Sequence, residues 1–76
     1  MTNWNDKKQC LEAVRSHGLA LQFVKNQTDE ICIEAVRNYG RALYYVKNQT
    51  DEIVDAATRN DLRALRFVKI EQLEVS

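Results

Sequence analysis

The chain has 76 residues, room for one small domain with a modest buried fraction, and its 45% apolar and 29% charged content is that of an ordinary globular protein rather than a disordered one. Eleven basic side chains balance eleven acidic ones, so no global field draws the protein to nucleic acid or an anionic membrane, and any such attraction has to be local. No proline occurs, which suits helices better than a loop-rich scaffold.

The first residues, MTNWNDKKQC, lack the apolar stretch of a secretion signal, and no uninterrupted apolar run is long enough to span a bilayer, so a cytoplasmic protein is expected. Trp4 stands ahead of the repeated part of the chain and fits either of two roles, sealing the N-terminal end or anchoring a partner. From there on the sequence repeats. Sliding it by 22 superposes LEAVRSHGLALQFVKNQTDEI on IEAVRNYGRALYYVKNQTDEI and then, with more divergence, on DAATRNDLRALRFVKIEQLEV. Three units result, over about residues 7–28, 29–50 and 51–72 of a single domain covering residues 1–76. A fixed period in the twenties marks stacked supersecondary units, none of which buries its apolar side alone. The predicted fold is therefore all-α, a short solenoid of three stacked helical hairpins with a period of 22 residues.

In the middle unit Ile31, Cys32, Ala35, Val36 and Tyr39 form a stripe at helical spacing, with Glu30, Glu34 and Arg37 opposite. Thr28 is a good N-cap, Asp29 and Glu30 place negative charge on the first turn, and Gly40 is expected to end the helix in the left-handed conformation. A shorter helix follows, with Ala42, Leu43 and Val46 on one side and Arg41 and Tyr44 on the other. The nearly identical peptides FVKNQTDEI and YVKNQTDEI are the joints between hairpins, duplicated because the joint is duplicated. End units need polar outer faces, and the substitutions follow that rule: Asp55 replaces Leu11 and Ile33, Thr58 replaces Val14 and Val36, and Gln9 stands for Ile31 and Ile53. Leu62 replaces Gly18 and Gly40, which leaves the helix boundary in the third unit open.

Little in the chain can carry chemistry. Cys10 and Cys32 occupy equivalent positions and read as buried free thiols. The two Asn-Gln-Thr triplets match a glycosylation pattern but read as turns and caps. His17 corresponds to Tyr39 and Asp61, a position that varies between units. Cys10, His17 and Cys32 match no compact zinc spacing and lack a fourth ligand, and Gly18 and Gly40 form no phosphate loop. No catalytic residue, metal or cofactor is expected. The recurrent Phe23, Tyr45 and Phe67 read as packing residues.

The pattern EAVxxxGxALxxVKNxTDEI, present in the first two units and decayed in the third, resembles the helical repeats of the domain of unknown function 4116 family, found in bacterial, phage and large-virus proteins. The likeness extends over nearly all of the chain beyond about residue 6. It implies the helical-repeat fold and brings no established catalytic residues with it.

The surfaces suggest binding instead. On the first helices Glu12 with Arg15, and Glu34 with Arg37, are spaced to neutralise one another. On the second helices the outward residues are Leu19 and Gln22, Arg41 and Tyr44, then Arg63 and Arg66, with no acid in those stretches. Arginine and tyrosine on a rigid surface are residue types enriched in protein interfaces. Arg41, Tyr44, Arg63 and Arg66 are thus the candidate partner-binding residues of a non-catalytic protein-binding module. The likeness to phage and viral repeats adds a narrower expectation, a phage-borne inhibitor of a host defence system such as a CRISPR effector. The alternative is a nucleic-acid-binding module using a local basic face of Arg41, Lys47, Arg63, Arg66 and Lys69. A small enzyme or metal-binding protein comes third.

Overall fold

The computed structural model describes residues 3–69. Three α-helices alternate with three 3-10 helices: α1 (Lys7–Ser16), η1 (Gly18–Phe23), α2 (Asp29–Asn38), η2 (Gly40–Tyr45), α3 (Asp51–Asn60) and η3 (Leu62–Phe67). No strand occurs among the described residues. Each α-helix starts where a side-chain oxygen accepts from an otherwise orphaned backbone N–H. Asp6 accepts from the amides of Lys8 and Gln9, Thr28 from Ile31 and Thr50 from Ile53. Asp29 and Glu30, then Asp51 and Glu52, lie in the first turns, and Arg37 and Arg59 in the last, each the favourable sign for the helix dipole. The third unit has the same boundaries as the second despite Leu62.

The glycines do not act as expected. His17, Tyr39 and Asp61 end the α-helices in extended backbone, and no glycine among the described residues takes a positive φ. Gly18 and Gly40 instead open the 3-10 helices at points where the following unit comes very close. A Cβ on Gly18 would lie 2.5 Å from the Ala35 carbonyl oxygen, and one on Gly40 would lie 2.6 Å from that of Ala57. The glycines are there for close approach, and Leu62 is tolerated because its side chain is 73% exposed.

The short helices are 3-10, with bonds from Ala42 to Tyr39 and from Val46 to Leu43 three residues apart. A three-residue period aligns Leu43 with Val46, both buried, and sets Arg41 and Tyr44 in the next row outward. The six helices pack as neighbours, α1 on α2, α2 on α3, η1 on η2 and η2 on η3. Leu21, Leu43, Ile53 and Val36 are among the largest fully buried side chains of one apolar core.

Polar side chains hold adjacent units together. Asn38 Oδ1 accepts from Gly18 N–H at 2.7 Å while its Nδ2 donates to the Arg15 carbonyl at 2.9 Å. Asn60 does the same for Gly40 and Arg37, at 2.6 and 3.0 Å. Ser16 stands at their position in the first unit, which no earlier unit precedes among the described residues. Gln27 donates to the Tyr45 carbonyl and accepts from Lys47 N–H. The buried Gln49 donates to the carbonyls of Leu43 and Phe67 and accepts from Lys69 N–H. Backbone groups that the 3-10 helices leave unpaired are thereby satisfied.

The two ends of the described structure differ. At the N-terminal end Trp4 packs half-buried against the core, its ring 5.4 Å from that of Phe23 and its carbonyl accepting from the Cys10 thiol. This packing is the arrangement expected of a residue that covers the first helix pair. Phe23 is a correction: it is mostly exposed, whereas Tyr45 and Phe67 are half-buried against the core. At the other end Leu65 is 53% exposed although its equivalents Leu21 and Leu43 are fully buried, because no later described helix covers it.

Both cysteines are free and buried. Burial, with a smaller contribution from Asp29, pushes the Cys32 thiol up to about 11, and burial with Asp6 pushes Cys10 up as well. Thiol titration at pH 8 is expected to proceed slowly on the folded protein and to yield two fast-reacting thiols in denaturant. Because the folded state holds these protons more tightly than the unfolded chain, their contribution to stability is complete below about pH 8.5 and is lost as pH rises towards the folded value. A thiol count that reacts fully before unfolding would contradict this packing.

Candidate protein-interaction surface

The row of residues one step outward from the buried columns of the 3-10 helices contains the four side chains singled out by the sequence. Tyr44 is 64% exposed, Arg63 and Arg66 are exposed, and Arg41 is half-exposed. Their surroundings differ from a plain basic strip. The Tyr44 ring meets Tyr45 edge-on at 5.0 Å and Phe67 at 5.5 Å, so an aromatic cluster spans η2 and η3. Leu19, Tyr39, Arg41, Tyr44, Tyr45 and Phe67 line one open hollow of about 280 Å³. A second hollow of about 240 Å³ beside it is also lined by Leu19 and Tyr39, together with His17 and Asn38. The two share the side chains of Leu19 and Tyr39, and the first, an apolar trough, lies beside the aromatic cluster.

The expectation of an acid-free surface is corrected by Asp61. This residue lies between α3 and η3, caps η3 by accepting from Arg63 N–H at 2.9 Å, and accepts from Arg63 Nε and Nη2, both at 3.1 Å. Its second oxygen is also 3.8 Å from Arg41 Nε. Hydrogen bonds from the Arg63 side chain and then its backbone amide hold the Asp61 carboxyl below its ordinary value, with the Arg63 and Arg41 charges adding to the effect. Arg63 is raised in return. Arg41 and Arg63 are thus gathered around one carboxylate, while Tyr44 borders the aromatic cluster. Of the residues proposed as a basic face, Lys69 donates its ammonium to the Lys47 carbonyl at 2.6 Å.

Asp61 escaped the sequence reading because its equivalents are His17 and Tyr39. The usable signal was local, an aspartate immediately before a helical segment, which is a capping position. Leu19 shares the outward spacing of Arg41 and Arg63 but, being aliphatic, is not among the arginine and tyrosine candidates, and Tyr39 belongs in the sequence pattern to the apolar stripe of α2; both line the hollow.

On the α-helices the ion pairs differ from the predicted ones. Neither Glu12 with Arg15 nor Glu34 with Arg37 is among the pairs formed by the described residues. Arg15 reaches across to Glu34 at 3.4 Å, Lys7 to Glu30 at 2.7 Å, and Arg59 pairs with Asp55 one turn away at 2.8 Å. A shallow hollow there is lined by charges of both signs, Arg37, Glu52, Asp55 and Arg59 among them. Among the described residues no group of three or more His, Cys, Asp or Glu side chains is placed to hold a metal ion, and no helix is long and apolar enough to cross a membrane.

A family model described as "Domain of unknown function (DUF4116)" matches residues 6–50, the first two α/3-10 pairs and the joints after them. No curated protein and no solved structure matches the chain.

Proposed function

From a chain that belongs to the domain of unknown function 4116 family, we propose a non-catalytic protein-binding module, a short solenoid of three hairpins with a 22-residue period that meets its partner through the 3-10 helices. One observation carries this reading. Among the described residues the exposed large hydrophobic side chains, Leu19, Phe23, Tyr44, Leu62 and Leu65, all lie in the 3-10 helices and none in an α-helix. Apolar surface gathered on one kind of element, with arginines beside it, is the composition of an interface centre. Nucleic acid is the weaker reading because Asp61 already binds Arg63 and because the exposed Leu19, Leu62 and Leu65 beside the arginines offer a phosphate backbone nothing. The narrower role, inhibition of a host defence system such as a CRISPR effector, rests on the likeness to phage and viral repeats. Loss of interference in cells co-expressing the protein would support it.

Capture of a partner by tagged protein in its native cell, followed by affinity measurement, tests the interface. Tyr44→Ala and Arg66→Ala are each expected to weaken binding roughly thirtyfold, as truncating a central interface residue costs about 2 kcal/mol, with the helical spectrum retained in both and the melting point nearly unchanged for Arg66→Ala but a few degrees lower for Tyr44→Ala, which loses two edge-on ring contacts. Arg63→Ala is expected to do less, since Asp61 already engages that guanidinium. Glu34→Ala and Arg37→Ala should leave affinity close to that of the parent. The reverse pattern would place the interface on the α-helices. Affinity for any DNA or RNA that falls steeply with added salt would favour nucleic acid.

A further inference from the structure

We propose that the partner presents an acidic amphipathic peptide segment, whose apolar side chains enter the trough of Leu19, Tyr39, Tyr44 and Phe67 while its carboxylates meet Arg41 and Arg66. This rests on the protein-binding reading above and adds the chemistry of the partner. The argument begins with the distribution of charge. The chain is neutral overall, yet its charges are segregated by element. The 3-10 helices and the turns beside them carry Lys25, Arg41, Lys47, Arg63, Arg66 and Lys69 against a single described carboxylate, Asp61. The α-helices and their caps carry the carboxylate surplus, including Asp29, Glu30, Asp51, Glu52 and Asp55. Among the described residues the 3-10 helices and their turns are thus net positive, the α-helices with their N-caps, summed together, net negative, and the one charged side chain lining the apolar trough is an arginine.

The trough itself is mixed in a specific way. Its lining is aliphatic and aromatic, with one full charge, the Arg41 guanidinium, at 3.8 Å from Asp61 and therefore only loosely engaged. A carboxylate on a bound segment could replace Asp61 as the partner of Arg41 with a charge-assisted hydrogen bond. Polyanions such as single-stranded nucleic acid would satisfy the cations but would gain nothing from Leu19, Leu62 and Leu65, which are aliphatic and exposed on the same set of helices. Apolar side chains interspersed with carboxylates satisfy both features at once. Asp61 then acts as an internal competitor: the same charge that caps η3 holds Arg41 and Arg63 back from a ligand.

The test uses the full chain and a library of random dodecapeptides displayed on phage, followed by fluorescence anisotropy of a labelled selected peptide. Selected peptides are expected to alternate Asp or Glu with Leu, Phe or Trp. Arg66→Glu should weaken the labelled peptide roughly tenfold, and a peptide with its carboxylates exchanged for lysine should recover affinity for that variant. Asp61→Asn, which keeps the oxygen that accepts from Arg63 N–H, should tighten binding about threefold by releasing the guanidinium groups. A merely structural role for Asp61 would leave affinity unchanged or lower it. Selected peptides without acidic enrichment, an Asp61→Asn variant that binds no better, displacement of the peptide by an oligothymidine, or a dimer of the chain that dissociates on Tyr44→Ala would each overturn the proposal. If the partner captured from the native cell still depends on Tyr44 while selected peptides lack acid, the acidic segment is wrong and the protein-binding reading stands. If that partner ignores Tyr44 and Arg66 altogether, both fall.

Discussion

Gly40→Ala is expected to destabilise the protein by about 3 kcal/mol, a large part of the ~5 kcal/mol at most that so small a domain holds in reserve. The added methyl would sit 2.6 Å from the Ala57 carbonyl oxygen and 3.1 Å from the Asp61 Cβ, and the first of these is backbone that a rotamer change cannot move. Relieving the contact means pushing α3 away from η2. That motion also stretches the bond from Gly40 N–H to Asn60 Oδ1, now 2.6 Å, and leaves a partly buried donor without its partner. Helix propensity favours alanine over glycine by about 1 kcal/mol and so works against the predicted sign, which makes the experiment decisive. Leu62→Ala at the equivalent position of the third unit is expected to stay within about 0.5 kcal/mol, because that side chain is exposed. Urea titrations of the two variants check this. Equal midpoints would mean that the close approach at Gly40 relaxes freely.

Gln49→Ala is expected to cost a comparable ~3 kcal/mol, since it strips three partners from backbone groups at once. The carbonyls of Leu43 and Phe67 lose a shared donor, and Lys69 N–H loses its acceptor. Gln49→Glu separates hydrogen bonding from packing. Glutamate has nearly the same shape and can still accept from Lys69 N–H, but its ionised form faces two carbonyl oxygens with no proton to offer. The folded state then favours the protonated acid, which raises that pKa above the unfolded value of about 4.3. Stability lost at neutral pH should therefore return as pH falls towards the unfolded value, opposite in sign to the usual acid destabilisation. A pH-independent deficit would show that the amide matters only for its volume. The equivalent Gln27→Glu should be milder, because Gln27 is half-buried and makes two backbone bonds.

Much of the fold was legible in the sequence for a simple reason. Capping and helical amphipathicity are local, so Thr28, Thr50 and the stripe of Ile31, Cys32, Ala35 and Val36 could be placed from residues within one or two turns. The outward placing of Arg41, Tyr44, Arg63 and Arg66 follows from the same periodicity, and the structure places them as the spacing predicts. The end effects were legible too: Gln9 and Asp55 are polar where their equivalents Ile31, Ile53 and Ile33 are covered by a neighbour to a greater degree.

Tertiary packing decided the rest. Whether Gly40 ends a helix by turning left-handed or yields space to a carbonyl depends on a residue 17 positions further on. Asn38 and Asn60 read as unremarkable helix ends until the bonds to Gly18 and Gly40, 20 residues back, are seen. Arg15 chooses Glu34 over Glu12 because adjacent α-helices bring the more distant carboxylate within reach. Arg41 and Asp61 meet for the same reason, and with them the surface read from sequence as acid-free acquires a carboxylate. A repeat of amino acids specifies equivalent positions within each unit, and those positions fix which side chains can be buried. The distance and angle between units arise from packing, and they determine which groups about 20 residues apart share a hydrogen bond, a carboxylate or a trough.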